Sequence, residues 1–291
     1  MPSFRPLCLC LTGLVLFQLA IILCGCQSRV AEEDLSSPQG YDLNNPSIVK
    51  LPGYLDEISG LAYYAKDKST FAINDEKGWL YKIFLSDKMP IQKWKYAAGD
   101  DFEDLVLYDS TFYVLQSTGM LLAVRFKGTD SVDVTEYDLG LEGKNEFEIL
   151  YLDTVAKRLV MICKDCERDD KNSLSSFAFD LVSKKFSKNP AFVIDVRKIE
   201  ALMGEKKVKF KPSAAGVHPL TGKLYIISSI NKVVVVANPE GVPEKVHRIN
   251  PKLYKQPEGL TFTPEGHLLI SNESADIGAA NIFIFKYNQA Q

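Results

Sequence analysis

The sequence predicts an all-β fold, a five-bladed β-propeller with four strands in each blade. The first observation is a repeat: between Glu57 and Tyr287, a turn that carries a carboxylate or a glycine precedes two apolar strands five times. The second is the period of roughly 40 to 50 residues, which is typical of propeller blades. The third is an extra strand before the first copy, where the last copy lacks its outer strand. The copies begin at residues 59–63, 103–107, 148–152, 215–218 and 258–262.

The second and third strands of each copy are the most apolar. The second strands are near-continuous apolar runs, as expected for strands that neighbouring blades cover on both faces. They are predicted at residues 70–74, 111–115, 158–162, 223–227 and 267–271. The third strands, in the middle of each blade, follow at residues 79–84, 121–126, 175–179, 232–236 and 281–285.

Outer strands complete four of the five copies, at residues 92–96, 132–137, 192–195 and 245–249. No outer strand follows the third strand of the fifth copy. The unassigned strand at residues 47–51 is therefore predicted to take that place. This arrangement closes the ring and removes its open edge.

One gap between copies is longer than the others. The copies start about 44 residues apart, except between the third and the fourth, where the gap is about 67 residues. Residues 196–203, followed by Gly204, are predicted to form a short helix that ends at a glycine. The alternative is a degenerate sixth blade, although few strands remain to build one. We therefore expect five blades and an inserted helix.

The composition indicates one folded domain, predicted at residues 46–291. The chain is 46% hydrophobic and 11% aromatic, which is ample for a large core. Its net charge is −3 and its basic residues are scattered, which argues against nucleic acid as a partner. P-loop and dinucleotide-binding glycine patterns are absent from the sequence, as is the G-x-S-x-G elbow of hydrolases.

The N-terminus has the features of an exported, lipid-anchored protein. Arg5 precedes an apolar run at residues 7–23, long enough for a signal sequence or a membrane span. Residues 23–26, Leu-Cys-Gly-Cys, resemble the lipobox of bacterial lipoproteins, which implies cleavage before Cys26 and diacylation of its thiol. We expect a signal peptide at residues 1–25 and a flexible tether at residues 26–45. The alternative is an uncleaved anchor.

The residues after Cys26 bear on where the lipoprotein is sorted. Gln27 does not resemble an inner-membrane retention signal, so we expect the outer membrane of a Gram-negative-type cell envelope. The membrane is then a partner through the lipid. The acidic run at residues 32–34 resembles surface-export signals, and its alternative reading is a solvated linker. Periplasmic and surface exposure both stay open.

Two cysteines are left in the predicted domain, Cys163 and Cys166. A structural zinc site needs four ligands, and the three histidines lie in other copies. A redox role would need a helix N-terminus after the first cysteine, and the end of a strand does not supply one. In an oxidising envelope we expect a local disulfide.

Short motifs recur at the turns of the copies. They are Ile-Ser-Gly-Leu-Ala at 58–62 with Phe-Ala-Ile-Asn-Asp-Glu at 71–76, Gly-Asp-Asp-Phe-Glu-Asp-Leu at 99–105, Asn-Glu-Phe-Glu-Ile-Leu at 145–150, and Gln-Pro-Glu-Gly-Leu at 256–260 with Ile-Ser-Asn-Glu at 270–273. In this order and spacing they resemble the SdiA-regulated (YjiK-like) propeller family over nearly all of the predicted domain. The resemblance implies a calcium-associated, phytase-like propeller of the cell envelope.

Carboxylates at equivalent turns of successive blades should converge at one mouth of the central channel. Three glutamates share one turn position, and an asparagine, an aspartate and a fourth glutamate lie at the ends of second strands. Oxygen ligands that converge on an axis suit a hard cation such as calcium. The alternative is that these side chains cap backbone amides at tight turns. The predicted metal ligands are Glu103, Glu148, Glu258, Asn74, Asp75 and Glu273.

Two positions depart from the family pattern. Where relatives tend to place a glutamate after the second strands of blades 2 and 3, this chain has Gln116-Ser117 and Lys164. We expect Lys164 to hold its ammonium group among Glu103 and Glu148, where charge-assisted hydrogen bonds would replace a metal.

Two functional classes follow from these features. The first is a membrane-tethered binding or scaffold module whose channel mouth holds calcium, an envelope ligand or another protein. The alternative is a calcium-dependent hydrolase, phytase-like or lactonase-like, in which calcium polarises a phosphoryl or ester oxygen and activates water. The acidic set is thinned, no histidine ends an inner strand, and only Lys77 and Lys164 bring positive charge near the ring. The binding module is therefore favoured.

Overall fold

The computed structural model describes residues 35–85, 89–99, 101–274 and 279–290. The predicted signal peptide, the lipidation site Cys26 and the beginning of the tether lie outside the described residues. The described part consists of 21 β-strands, one α-helix and a short 3-10 turn. None of its helical segments has the length and hydropathy that a membrane crossing requires.

The first two blades follow a single strand at the N-terminus. That strand is β1 (Ser47–Lys50), and the 3-10 turn at Gly53–Leu55 separates it from blade 1. Blade 1 consists of β2 (Ile58–Tyr64), β3 (Ser69–Asn74), β4 (Lys77–Phe84) and β5 (Gln92–Lys95). Blade 2 consists of β6 (Phe102–Tyr108), β7 (Thr111–Gln116), β8 (Met120–Lys127) and β9 (Ser131–Asp138).

The remaining blades are separated by the helix. Blade 3 consists of β10 (Asn145–Asp153), β11 (Arg158–Cys166), β12 (Ser173–Asp180), β13 (Lys185–Phe186) and β14 (Val193–Asp195), and α1 (Val196–Met203) follows it. Blade 4 consists of β15 (Ala214–Val217), β16 (Leu224–Ser228), β17 (Val233–Ala237) and β18 (Pro243–Arg248). Blade 5 contains β19 (Pro257–Phe262), β20 (Leu268–Asn272) and β21 (Asn281–Phe285).

The N-terminal strand closes the ring. The strand order of blade 5 is β1-β21-β20-β19, so β1 is its outer strand. The two strands run antiparallel, with Ser47 opposite Ile284 and Lys50 opposite Asn281. All other blades are built from consecutive antiparallel strands. The five-bladed propeller with this closure is confirmed.

The long gap between blades 3 and 4 contains the helix and not a sixth blade. The outer position of blade 3 is shared by β13 and β14, which both pair with β12. The side chain of Asp195 caps α1 by accepting a hydrogen bond from the amide of Arg197 at 3.0 Å. Gly204 ends the helix in the left-handed region, with φ of 70°. A glycine adopts this conformation at little cost, which explains the stop.

The folded domain begins earlier than the sequence predicted. Tyr41 and Leu43 are only 5% and 1% exposed, and they pack in the core between blades 4 and 5. The hydroxyl of Tyr254 donates to the carbonyl of Leu43 at 2.8 Å. The predicted tether therefore does not extend to residue 45, because two large apolar side chains in this segment are buried.

A buried aspartate joins two blades near the axis. Asp104 is 2% exposed and follows Glu103 in β6. Its Oδ1 accepts a hydrogen bond from the amide of Leu105, and its Oδ2 accepts one from the amide of Leu150 in blade 3, both at 2.8 Å. Since both amides are buried, the carboxylate satisfies two backbone donors that would otherwise have no partner there.

Candidate functional site

Three glutamates occupy the same kind of position, a β-bulge in an innermost strand. In β6, β10 and β19, the pairing with the next strand skips Glu103, Glu148 and Glu258 respectively. The corresponding shift in β2 falls at Ser59 and Gly60. A bulge leaves its residue out of the ladder and redirects the side chain. Three separate strands thus direct carboxylates to one end of the channel.

Blade 4 contributes a serine at this level. The hydroxyl of Ser213, just before β15, donates to the carbonyl of Pro257 at 2.7 Å. The hydroxyl of Ser59 donates in the same way to the carbonyl of Phe102 at 2.9 Å. Since Phe102 and Pro257 each precede a bulged glutamate, Ser213 is the counterpart of Ser59 in blade 4. The fourth copy of the repeat, which the sequence pattern placed from Ala215 onward, therefore starts before that residue.

These positions surround a cavity of about 540 Å³, here called the mouth cavity, to which all five blades contribute. At the opposite ends of the same strands, a cavity of about 410 Å³ is lined mainly by apolar side chains such as Leu105 and Leu260. The charged groups are thus concentrated at one end of the channel. The carboxylates that line the mouth cavity are Asp75, Asp101, Glu103, Glu146, Glu148, Glu258 and Glu273.

Four lysines also line the mouth cavity, namely Lys164, Lys211, Lys232 and Lys255. The sequence predicted Lys77 and Lys164 near the ring, and of these two only Lys164 lines the cavity. Lys211 lies in the segment inserted after α1, and the other two precede β17 and β19. The repeat does not mark these loop positions, so the sequence pattern underestimated the positive charge at the ring.

Lys164 is paired with two glutamates of the adjacent strand. Its Nζ binds the carboxylate of Glu148 and lies 3.0 Å from Oε1 of Glu146. Burial lowers the pKa of Lys164, but the hydrogen bond to Glu148 and the charge of its carboxylate outweigh burial and raise the pKa above its ordinary value. The sequence analysis expected Glu103 and Glu148 around this ammonium. The pair with Glu148 is present, whereas the second partner is Glu146.

A disulfide bond between Cys163 and Cys166 encloses Lys164. Both cysteines are buried in the core of blades 2 and 3. The loop that they close also contains Asp165, whose Oδ2 accepts a hydrogen bond from Nζ of Lys211 at 2.7 Å. The bridge therefore fixes the backbone that carries Lys164 to the mouth cavity.

Glu103 and Glu258 are largely removed from water. Burial, reinforced by the charges of Glu148 and Asp101, raises the pKa of Glu103 to about 9. Burial and Glu148 raise the pKa of Glu258 to about 8, against a hydrogen bond from Ser229 that lowers it. Both carboxyl groups are therefore mainly protonated at pH 7 when no cation is near. A metal at these two positions would have to displace both protons.

A separate group of three carboxylates lies between blades 1 and 5. One oxygen each of Glu57, Asp75 and Glu273 lies within 4.8 Å of the other two. The pKa of Asp75 is raised to about 6, mainly by burial and then by Glu57 and other acidic neighbours. Burial, Glu258 and Glu57 raise the pKa of Glu273 to about 9. We call these three residues the carboxylate triad.

Within the described residues, no lysine or arginine forms an ion pair with the triad. Gln256 donates its side-chain amide to Oε2 of Glu273 at 2.9 Å. Oδ1 of Asp75 is buried without a hydrogen-bond partner, and so is Oδ1 of the preceding Asn74. Buried oxygens without protein partners are uncommon, and an ordered water or a bound ion can satisfy them. The all-oxygen donor set suits a hard divalent cation.

The sequence analysis identified two members of the triad, Asp75 and Glu273, and missed Glu57. A signal for Glu57 was present in the repeat. It lies just before β2, as Asp101 lies just before β6, and Glu146 is placed similarly in β10. Of the predicted ligands, Glu148 belongs with Lys164, and the structure does not gather all six predicted residues around one point.

Comparison with solved structures shows the same fold at low sequence identity. The glutaminyl cyclase of Myxococcus xanthus is 12% identical, with a TM-score of 0.54 over 83% of this chain and 96% of that chain. A luciferin-regenerating enzyme is 10% identical, with a TM-score of 0.51 over 83% and 95%. Regucalcin from Agrobacterium tumefaciens, described as a calcium-binding protein, is 12% identical, with a TM-score of 0.50 over 86% and 95%. At these identities the likeness concerns the fold alone.

Sequence comparison is more specific. No curated protein sequence matches the chain significantly. The sequence profile of the SdiA-regulated family, however, matches residues 38–276, which span every blade from the first to the fifth. The match covers the bulged glutamates, Lys164 and the carboxylate triad. The chain therefore belongs to the SdiA-regulated family.

Proposed function

We propose that the protein is a lipid-anchored binding module of the bacterial cell envelope that holds a divalent cation, calcium, at Glu57, Asp75 and Glu273. The lipobox-like sequence that ends at Cys26 supports the anchor. The carboxylate triad supports the cation. The observation that carries the proposal is the buried Oδ1 of Asp75, which has no partner and lies beside two further carboxylates.

The electrostatics of the mouth cavity favour the triad over the other predicted ligands. Lys164 already forms ion pairs with Glu146 and Glu148 and offsets one of their two negative charges. Glu103 and Glu258 are held protonated by burial near neutral pH, as is Glu273 of the triad, so the triad differs from them through Asp75. Asp75, with a pKa of about 6, is ionised at pH 7 in the absence of a metal. A cation that approaches the triad therefore meets the negative charge of Asp75 and can displace the proton of Glu273.

Calcium is the preferred cation because of the geometry of the donors. Calcium accepts six to eight oxygen ligands in irregular arrangements, whereas magnesium demands near-ideal octahedral geometry. The triad comes from the segment before β2, the end of β3 and the end of β20. The calcium-binding regucalcin shares this fold, so a propeller of this kind is compatible with calcium.

The test is thermal unfolding of the full chain in neutral detergent, first with EDTA and then with millimolar calcium or magnesium. A ligand that binds only the folded state stabilises it, by about 2.7 kcal/mol at a concentration of 100 times the Kd. We expect a clear rise of the midpoint with calcium and a smaller one with magnesium. The rise should disappear in Asp75→Asn and in Glu57→Gln.

The matched control is Asp101→Asn, which also neutralises an aspartate of the mouth cavity but lies outside the triad. This variant should keep the calcium-dependent rise. The cation assignment is wrong if calcium leaves the native midpoint unchanged, or if Asp75→Asn responds to calcium as the native chain does.

A hydrolase is the second candidate, and one observation speaks for it. The basic groups that such an enzyme needs to hold an anionic substrate are present after all, as Lys211, Lys232 and Lys255 line the mouth cavity. A calcium-dependent release of p-nitrophenol from p-nitrophenyl phosphate, or the opening of a lactone ring, would support it. The activity should be lost with Asp75→Asn and kept with Asp101→Asn. No turnover of either substrate class would leave the binding module as the function.

A further inference from the structure

A second polar cavity lies beside the mouth cavity, between blades 3 and 4. Its volume is about 690 Å³, and we call it the lysine cavity. One wall comes from the end of β11 and the loop that leads to β12, and the other comes from α1 and residues 206–211 of the inserted segment. Lys164 and Lys211 line both cavities and form the partition between them.

The lysine cavity carries an excess of positive charge. Six lysines and four carboxylates line it. Lys164 and Lys211 are engaged in ion pairs with Glu146, Glu148 and Asp165. The other lysines are exposed and form no ion pair within the part of the chain that the structure describes. These four are Lys171, Lys206, Lys207 and Lys209.

The carboxylates of the cavity already have partners in the protein. Asp169 accepts hydrogen bonds from the amide of Ser175 at 2.8 Å and from its hydroxyl at 2.5 Å. Asp170 accepts one from the amide of Asn172 at 2.8 Å. Glu200 accepts one from the amide of Val208 at 2.8 Å. These bonds use the carboxylates to shape the walls, and the four exposed ammonium groups are left to face the solvent.

The segment that carries three of these lysines is fixed to the domain. Val208 and Phe210 are buried in the apolar core between blades 3 and 4, and they alternate with the exposed lysines. The hydrogen bond from Val208 to Glu200 attaches the segment to α1. Lys207 has a positive φ of 60°, which turns the chain at this point. The segment therefore holds these three lysines along one wall of the lysine cavity.

We infer that the lysine cavity binds a small polyanion that carries phosphate groups. Lysine ammonium groups are compact charges on flexible stems, and several of them can gather around a multivalent phosphate from different directions. The volume lies within the range of cavities that enclose a small organic ligand and exceeds what a single inorganic phosphate fills. This site does not depend on the proposed cation, because the carboxylate triad is not part of its lining.

The test is calorimetric titration of the full chain, in neutral detergent and EDTA, with inorganic pyrophosphate. EDTA removes calcium, so a failure of the cation site cannot mimic the result. The cavity variant is Lys171→Gln, Lys206→Gln and Lys209→Gln together. The control is Lys188→Gln, Lys245→Gln and Lys252→Gln together, which removes the same charge from exposed positions outside both cavities.

We expect pyrophosphate to bind the native chain, to bind the cavity variant about tenfold or more weakly, and to bind the control within about twofold of native. Equal weakening in both variants, or no binding to the native chain at millimolar pyrophosphate, would overturn the inference. Equal unfolding midpoints of the two variants would show that the exposed substitutions leave the fold intact.

A second arm distinguishes the sources of the phosphate. The titration is repeated with phosphatidylglycerol or phosphatidylcholine mixed into the detergent micelles. Competition by phosphatidylglycerol alone would support the site and identify a lipid headgroup as its ligand. Absence of competition, with pyrophosphate binding retained, would support the site and identify a soluble phosphorylated compound.

Discussion

The ammonium group of Lys164 donates a hydrogen bond to the carboxylate of Glu148, across the two innermost strands of blade 3. Glu148 occupies a bulge whose counterparts in blades 2 and 5 carry Glu103 and Glu258, and among the described residues it is the one of these three that forms an ion pair. Glu148 thus has a positive charge beside it inside the protein, whereas within the described residues the carboxylate triad forms no ion pair.

Replacement of Lys164 by methionine should destabilise the domain by about 2 kcal/mol at pH 7, because a largely buried carboxylate loses its charged partner. Urea unfolding in EDTA measures the change. Burial raises the pKa of Glu148, so the loss should shrink as the pH falls and this carboxylate takes up a proton. Lys252→Met, at an exposed position outside the cavity, should change stability by less than about 0.5 kcal/mol. A Lys164→Met variant as stable as native would contradict the role of the pair.

The calcium-dependent rise of the unfolding midpoint should also depend on Lys164. In Lys164→Glu, a carboxylate replaces the internal cation beside Glu146 and Glu148, which creates a second acidic group at the mouth. We expect a larger calcium-dependent rise of the unfolding midpoint than in the native chain, since more negative charge is relieved by the metal. Lys164→Gln, which removes the charge without adding a ligand of opposite sign, is the control. No additional rise in Lys164→Glu would argue against the replacement of a metal by this lysine.

Stability should fall as the pH rises from about 5 to about 9 in EDTA. The folded state keeps protons on Glu103, Glu258 and Glu273, with pKa values of about 9, 8 and 9, whereas the unfolded chain loses them near the ordinary value of 4.5. The stabilisation is therefore complete below the unfolded pKa and is lost by the folded pKa. Urea unfolding over this range measures the slope. The double variant Glu103→Gln and Glu258→Gln should show a shallower slope, and a flat native profile would contradict the raised pKa values.

Asp104→Ala should destabilise the domain by about 2 to 4 kcal/mol, because the amides of Leu105 and Leu150 both lose their acceptor inside the core. Asp104→Asn keeps one acceptor oxygen and should cost less. Urea unfolding compares the two variants. Asp133→Ala, at an exposed position in β9, should have little effect. Equal stability of Asp104→Ala and the native chain would show that Asp104 does not join the blades energetically.

Loss of the disulfide should lower the free energy of unfolding by about 2 kcal/mol, the value expected for closure of so short a loop. The variant is Cys163→Ser with Cys166→Ser, measured by urea unfolding. A reductant should shift the native chain in the same direction and leave the variant unchanged. A reductant that shifts both proteins equally would point to another cause.

Cys26 should carry the lipid. We expect the full chain, expressed in a Gram-negative bacterium, to incorporate labelled palmitate and to sediment with the membranes. Cys26→Ser should lose the label. Cys24→Ser, which alters a cysteine of the predicted signal peptide, should keep it. Retention of the label in Cys26→Ser, or an unlabelled native chain, would contradict the lipoprotein assignment.

The blades were predictable because each copy repeats the same physical problem. A strand that neighbouring blades cover on both faces must be apolar along its whole length, so β3, β7, β11, β16 and β20 stand out in the sequence. The role of β1 as the closing strand was predictable from the number of strands in each copy, because the fifth copy lacked an outer strand. The helix α1 ended at Gly204 as predicted, since its left-handed conformation is a local property of the chain.

The features that the sequence did not predict depend on contacts between segments that are distant in the chain. In blade 4, Ser213 stands where blades 2, 3 and 5 have a glutamate, and β15 has no bulge there. This blade therefore offered no carboxylate with which its sequence could be aligned to the other copies. The lysines of the inserted segment have no counterpart in other copies. Tyr41 and Leu43 lie in a polar stretch, and their burial depends on packing against side chains of blades 4 and 5.

The pairing of β1 with β21 has a consequence for biogenesis. β1 is the first strand of the domain to be synthesised, and it cannot pair until β21 has been synthesised, because β21 is its hydrogen-bonding partner. A chain that lacks β21 cannot close the ring, and the long-range contacts of β1 form only after β21 has been synthesised. For the export that the predicted signal peptide implies, late closure would keep the polypeptide in a form that can still be translocated.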